Sequence, residues 1–364
     1  MVTPCRRLLA RFRYQIEGDA HFGVPFEQYK ADLNRREQEV KEELKQAQAD
    51  ERRILEIEKA EIERRLADTQ ASYQAHIKEL KERIGQLETI RGQVPDALLD
   101  QARAALAQGD QSEADRLFAQ FEEQSTRDDD ESTRTAAEVA YQLSRIARDN
   151  IRYREAYAHA QRAVRLAPEN SIYLSGAGKL ARILGDYLTA KDYHEQALAG
   201  DLQTYGEDHP RVATIRNNLG LVLQNLGEYQ KAIGYLEQAL TSNLKTYGKD
   251  HPDVAIRHNN LGSAWQVLGE YEKAIGYYEQ ALASDLQTYG EDHPKVAIRR
   301  NNLGSAWQAL GEYEKAIGYF EQALAVFERK LGPEHPYTKG TRDHLATARA
   351  EQARANAAGR KQVP

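Results

Sequence analysis

The block Gly-Glu-Asp-His-Pro stands at residues 206–210 and again at 290–294, with near copies at 248–252 and 332–336, a step of 42 residues each time. A fixed step of that length marks a solenoid, built from units that cannot bury their apolar faces alone. Such chains bind other molecules along an extended concave surface more often than they catalyse.

Three units align without gaps. Asn217-Asn218-Leu219-Gly220 returns at 259–262 and 301–304, and Gly227-Glu228-Tyr229 returns at 269–271 and 311–313. Within one unit, Leu261, Trp265 and Leu268 fall three or four apart, and so do Ala274, Tyr278 and Ala281. That spacing predicts two helices. Gly269 between them suits a left-handed helix end, and Glu270 suits the first turn of the next helix. His-Pro at the head of the unit is a start signal, because proline fits the first helical turn and lacks the amide that would go unpaired there. Each unit therefore reads as a helical hairpin, with small Ala274 and Ala281 allowing close approach.

Gly262, Ala274, Tyr278 and Ala281 match the tetratricopeptide pattern residue by residue. With the 42-residue step, the Asn-Asn-Leu run and the His-Pro link, the array resembles the kinesin-light-chain type of that repeat. The near identity of the units resembles the recently expanded arrays of prokaryotic members. The resemblance implies an all-α fold, a right-handed solenoid with peptide ligands on its concave face. One position departs: where the family carries a large apolar residue, this chain has Arg216, His258 and Arg300, with Trp265 and Trp307 further along the helix.

Two weaker units precede these. Leu174, Gly178, Gly185, Ala190 and Ala197 fit the template, as do Leu143, Tyr153, Ala156, Ala163 and Pro168 at shorter spacing. We therefore expect five repeats over 135–338, a polar capping helix over 339–357 and a tail over 358–364.

Upstream, glycine is scarce between residues 33 and 94, and Val40, Leu44, Ala47, then Ile62, Leu66, Thr69, Tyr73, Ile77, Leu80, Ile84 and Leu87 step by threes and fours. This heptad-like seam predicts one long coiled-coil helix over 24–94, with an irregularity near 51–58. So narrow a stripe needs a partner: a second copy, another protein, or a fold-back of the chain on itself. Residues 33–92 are thus a candidate surface for homo-oligomers or a hetero-coiled coil. A degenerate hairpin is expected over 95–126 and an acidic linker over 127–134, around Asp128, Asp129, Asp130 and Glu131. Residues 1–23 read as a basic tail, too short and too charged for a secretory signal.

A net charge of −6 gives no basic face for nucleic acid, and no apolar run approaches the length of a membrane span. The lone Cys5 excludes an internal disulfide and favours the cytoplasm. His209, His251, His293 and His335 recur once per repeat. Metal binding would need them to converge within about 2 Å of one ion, whereas successive hairpins stand a helix-pair thickness apart, so they read as helix-start residues. Ser175-Gly176-Ala177-Gly178-Lys179 imitates a phosphate loop but lacks its first glycine and its final hydroxyl. No catalytic group, metal site or cofactor is assigned.

The candidate binding residues lie on the first helices. Asn217, Leu221 and Gln224; Asn259, Ser263 and Gln266; Asn301, Ser305 and Gln308 share offsets of four and three, hence one face. In the resembled family that face lines the groove and its asparagine contacts an extended peptide. An amide can donate to and accept from a peptide backbone. The same asparagines would also serve to tie one repeat to the next. The matching positions upstream are Tyr141, Arg145 and Arg148, then Ser175, Lys179 and Arg182. The early end would be basic, which fits an acidic peptide.

These readings converge on a non-enzymatic scaffold or adaptor that binds a protein or peptide partner. The alternatives are a regulatory or sensor subunit whose effector lies on a separate or missing domain, and a kinesin-light-chain-type cargo adaptor.

Overall fold

The computed structural model describes residues 26–47, 49–69, 72–78, 96–108, 113–114, 116–117, 130–333 and 335–360. No strand occurs among them. The chain divides into two units, 1–168 and 169–364.

In the first unit, α1 (Phe26–Gln46) and α2 (Ala49–Ala67) interrupt what the heptad stripe predicts as one long helix. Arg36 and Glu58 form an ion pair at 2.7 Å. Residues 22 apart in one helix would be about 33 Å apart, so the chain turns back after Gln46. Tyr29, Leu33, Val40, Leu55 and Ile62 are buried. Over these residues the seam packs on the chain itself, the fold-back of the three expected partners, because α1 and α2 lie side by side. Leu80, Ile84 and Leu87 of the expected seam, and the expected tail 1–23, lie outside the described residues.

Helix α3 (Asp96–Gln108) and helix α4 (Asp130–Asp149) share a core of Leu99, Leu106, Ala114, Leu117, Val139, Leu143 and Ile146. Asp130 already belongs to α4, so the expected acidic linker ends earlier than residue 134; its charges suit the helix start. Helix α5 (Tyr153–Leu166) completes a hairpin with α4. Arg152, at the N-cap of α5, offers no side-chain cap. Glu58 supplies one instead: its Oε1 accepts the Tyr153 amide at 2.9 Å while Oε2 holds Arg36. Burial pushes the Glu58 carboxyl up, against the pull of that amide and of Arg36. Arg65 donates to the Asp149 carbonyl at 2.8 Å. These bonds fix the α1–α2 hairpin to the α4–α5 turn.

The second unit stacks four hairpins: α6 (Ser171–Leu184) with α7 (Tyr187–Tyr205), α8 (Pro210–Asn225) with α9 (Tyr229–Tyr247), α10 (Pro252–Val267) with α11 (Tyr271–Tyr289), and α12 (Pro294–Ala309) with α13 (Tyr313–Lys330). Helix α14 (Pro336–Arg360) caps the stack and is longer at both ends than the expected 339–357. Of the five expected repeats, the first, α4–α5, belongs to the other unit.

Local chemistry explains the hairpin. Gly269 sits at φ 86°, and a Schellman pair closes α10: Gly269 N–H to the Gln266 carbonyl and Glu270 N–H to the Trp265 carbonyl, both 3.0 Å. Each link histidine caps the next helix. Nδ1 of His209, His251, His293 and His335 accepts the amide two residues on, at 3.0–3.3 Å. The rings of His209, His251 and His293 stack on Tyr205, Tyr247 and Tyr289. Two helices approach where a glycine faces a large side chain. A Cβ on Gly262 would lie 2.7 Å from the Tyr278 ring, and one on Gly304 2.6 Å from Phe320.

Candidate functional site

The first helices of successive hairpins also touch one another, at α6–α8, α8–α10 and α12–α14, more than the second helices do. They therefore line the tighter side of the stack. Along α10, Ile256, Asn259, Ser263 and Val267 follow three- and four-residue steps on one face. Ile256 is 39% and Val267 57% exposed, large values for aliphatic side chains in a packed array. Ile172 holds the place of Ile256 one end away, on α6, and is also exposed.

The predicted asparagines form a ladder between repeats. Asn217 Oδ1 accepts from Asn260 Nδ2 at 2.8 Å, and Asn259 Oδ1 accepts from Asn302 Nδ2 at 2.8 Å. At the cap, Asn301 Oδ1 accepts from Thr341 at 2.9 Å, with His344 Nδ1 3.4 Å away. The ladder stops at its other end. Asn218 keeps a buried Nδ2 without a partner, and the position that would supply its acceptor holds Ser175, a shorter side chain.

The glutamines diverge. Gln266 accepts the Tyr278 hydroxyl at 2.9 Å. Gln308 donates to Glu351 of the cap at 2.8 Å. Gln224, facing the repeat whose tyrosine is replaced by Leu236, keeps a buried Nε2 without a partner. Ser305 donates to the Asn301 carbonyl, while Ser263 and Leu221 are half-buried. The departure from the family pattern is also explained. Arg216 and Arg300 reach back to the carbonyls of Glu207 and Glu291 in the preceding links. Buried His258 makes no such bond through Nδ1.

The basic positions fall into two groups. Arg145 and Arg148 lie in the first unit, both half-buried, with Arg148 bonded to Asp149. Lys179 and Arg182 lie on α6 in the second unit, Lys179 exposed and Arg182 half-buried. Burial holds Arg182 below the usual guanidinium range.

Two groups escaped the reading of the sequence. His194 on α7 is fully buried against Gly178, with neither ring nitrogen hydrogen-bonded. Burial first, then Lys179 and Arg182, push its pKa down to about 3. The signal was available, since 194 falls in step with 236, 278 and 320. The second group is the pairing of second helices with the next first helix. Arg299 is buried and bonds Asp285 at 2.8 Å, whereas Arg257, one repeat earlier, faces the position of Asn243. Arg257 Nε and Asn243 Oδ1 are both buried without partners. Among the described residues, no three His, Cys, Asp or Glu stand close enough to hold a metal ion. No described helix is long and apolar enough to cross a membrane.

Comparison with known proteins places this geometry. A tetratricopeptide repeat profile matches residues 169–245, 212–283, 258–328 and 300–358, more than half of the chain. A second tetratricopeptide repeat profile matches 96–125. Among solved structures, BtubC (BKLC) from P. vanneervenii is similar at 23% identity and TM-score 0.51, over 60% of this chain and 91% of that one. The nearly identical TPR-like repeats of a Podosopora anserina kinesin light chain align at 22% identity and TM-score 0.48, over 54% and 97%. No curated protein matches the chain.

Proposed function

We propose that this chain, a member of the tetratricopeptide repeat family, is a non-enzymatic scaffold that holds an extended segment of a partner protein along its first helices. Repeats of this family are protein–protein interaction modules. The observation that carries the finer reading is the row on α10, where exposed aliphatic Ile256 and Val267 flank half-buried Asn259 and Ser263. Aliphatic surface beside amides suits a peptide, whose backbone needs donors and acceptors and whose side chains need apolar contact.

The asparagines have a divided role in this reading. Their oxygens hold the next repeat at its spacing, and we assign their amide donors to peptide carbonyls. Ser263, Ser305, Gln224, Gln266 and Gln308 complete the neutral stretch, and Lys179 and Arg182 favour an acidic residue at the α6 end. Because the asparagines also hold the array together, substituting them would confound binding with stability.

The test therefore uses neighbours outside the asparagine ladder. Peptides selected by display on the full chain should lose at least tenfold in affinity with Val267→Glu or Ser263→Arg. Glu279→Arg, on the exposed face of α11, should leave affinity unchanged. Equal binding by all three would move the working surface away from the first helices.

A further inference from the structure

We propose that the junction between α9 and α10 is a hinge built into the stack, which opens on the side of the link 248–252. The links follow one template, so the bonds that tie them down compare residue by residue. At the link 206–210, Asp208 pairs with Lys245 of α9, and its carbonyl accepts from Ser242 Oγ at 3.0 Å. Arg216 of α8 donates to the Glu207 carbonyl at 3.1 Å, and Arg211 pairs with Asp201 at 3.0 Å. At the link 290–294, Asp292 pairs with Arg329 and Lys330 of α13. Arg300 of α12 donates to the Glu291 carbonyl at 3.3 Å, and Arg299 pairs with Asp285 at 2.8 Å. Val326 takes the place of Ser242 there and packs with Ala297.

The link 248–252, between these two, has none of these ties among the described residues. Gln287 stands in step with Lys245 and Arg329, so Asp250 finds no cation there. His258 stands in step with Arg216 and Arg300, and its buried Nδ1 has no partner. Ser284, in step with Ser242, keeps a buried Oγ without one. Asn243 and Arg257 stand in step with Asp285 and Arg299, yet Asn243 Oδ1 and Arg257 Nε are both buried and unpaired. The changes come from α9, α10 and α11, and all fall on one link.

What holds this junction is of another kind. Ile233, Leu236 and Leu240 of α9 pack with Val254, Leu261 and Ala264 of α10. On the inner side, the bond between Asn217 and Asn260 joins α8 to α10 at 2.8 Å. Apolar contact has no preferred direction, whereas hydrogen bonds and charged pairs fix geometry. The inner bond is therefore the pivot, and the link side is the part that moves. An exposed pair such as Lys245–Asp208 adds little alone, so the buried groups decide the balance. In the closed form Arg257 Nε and Asn243 Oδ1 stay dry and unpaired, which costs free energy. Opening the link side hydrates both. Hinges of this kind place the motion in a few residues at element ends. The α10 row from Ile256 to Val267 borders the junction, so the hinge sets how α8 and α10 present their faces to a peptide. That consequence rests on the groove reading above; the hinge does not, and it is tested without peptide.

The full chain carrying Cys5→Ser receives spin labels in neighbouring pairs at Gln196→Cys, Gln238→Cys, Gln280→Cys and Gln322→Cys. These positions are exposed and in step on α7, α9, α11 and α13. The pair 238–280 spans the hinge, while 196–238 and 280–322 span tied links. The 238–280 distance distribution should be the widest of the three. Asn243→Asp, His258→Arg and Gln287→Lys together place there the residue types of the tied links, and should narrow it to the width of its neighbours. The reverse exchange, Asp285→Asn with Arg300→His and Arg329→Gln, should widen 280–322 and keeps the test open if the first variant fails to fold. Three equal widths, or widths that neither exchange moves, overturn the proposal. A display-selected peptide should narrow 238–280 in the unexchanged chain. A hinge that answers to the exchanges but not to the peptide sinks the groove consequence only.

Discussion

Hairpins α6–α7 and α12–α13 share one template and differ at its centre. In α12–α13, Gly304 meets Phe320, an apolar ring packed with Ala316, Leu345 and Ala348 and touched by His344 of the cap. In α6–α7, Gly178 meets His194 in the same way, but the buried ring carries two nitrogens without hydrogen-bond partners. The backbone approach is the same because the glycine sets it, so the template tolerates either filling. One hairpin uses the position for stability. The other fills it with a buried polar ring.

The comparison breaks first at Phe320. Phe320→Ala removes a fully buried ring and should cost about 3–5 kcal/mol, read as lost hydrogen-exchange protection in α12, α13 and the α14 cap. His194→Ala should cost clearly less, since it also removes two unsatisfied polar atoms. Equal costs would mean that the two sites are filled to the same effect.

Acid is the next lever. His194 has a folded pKa of about 3, below the unfolded value of about 6.5. Between those values the unfolded chain binds more protons, so stability rises with pH. The contribution is complete above about pH 6.5 and is lost at roughly 1.4 kcal/mol per pH unit as pH falls toward 3. Local exchange in α6–α7 should show this slope, α12–α13 should not share it, and His194→Leu should remove it. A slope that survives the substitution would assign the acid sensitivity elsewhere.

A smaller effect is expected at the junctions between hairpins. Asp285 and Arg299 form a buried pair, while Asn243 and Arg257 occupy the same places one repeat earlier without pairing. Asn243→Asp should rebuild the pair and stabilise the α9–α10 junction by about 1–2 kcal/mol, seen as a higher urea midpoint. A lower midpoint would show that desolvating the new carboxylate outweighs its gain.

Much of this architecture was legible in the residues. The 42-residue step, the apolar spacing of Leu261 and Trp265, and Gly269 were enough to place the hairpins, because each is a local signal. The His-Pro links were legible as helix starts for the same reason, although nothing local shows that His209 caps through Nδ1. The asparagine ladder was harder. It joins Asn217 to Asn260, and the choice between peptide contact and repeat contact depends on which residues meet across a junction. The fold-back of α1 on α2 was legible only as one of three options, since the stripe through Val40 and Ile62 looks the same for any partner. Glu58 as a cap for α5 was not legible at all, being 95 residues from Tyr153 in the chain.

Both helices of each hairpin supply the core, and the binding surface proposed above lies on the first helices. Hydrogen–deuterium exchange on the full chain, with and without a display-selected peptide, tests it most directly. The account predicts added protection in α8, α10 and α12, extending to α6 when the peptide is acidic, and little change in α9, α11 and α13. Protection concentrated in the second helices or in the His-Pro links would contradict it.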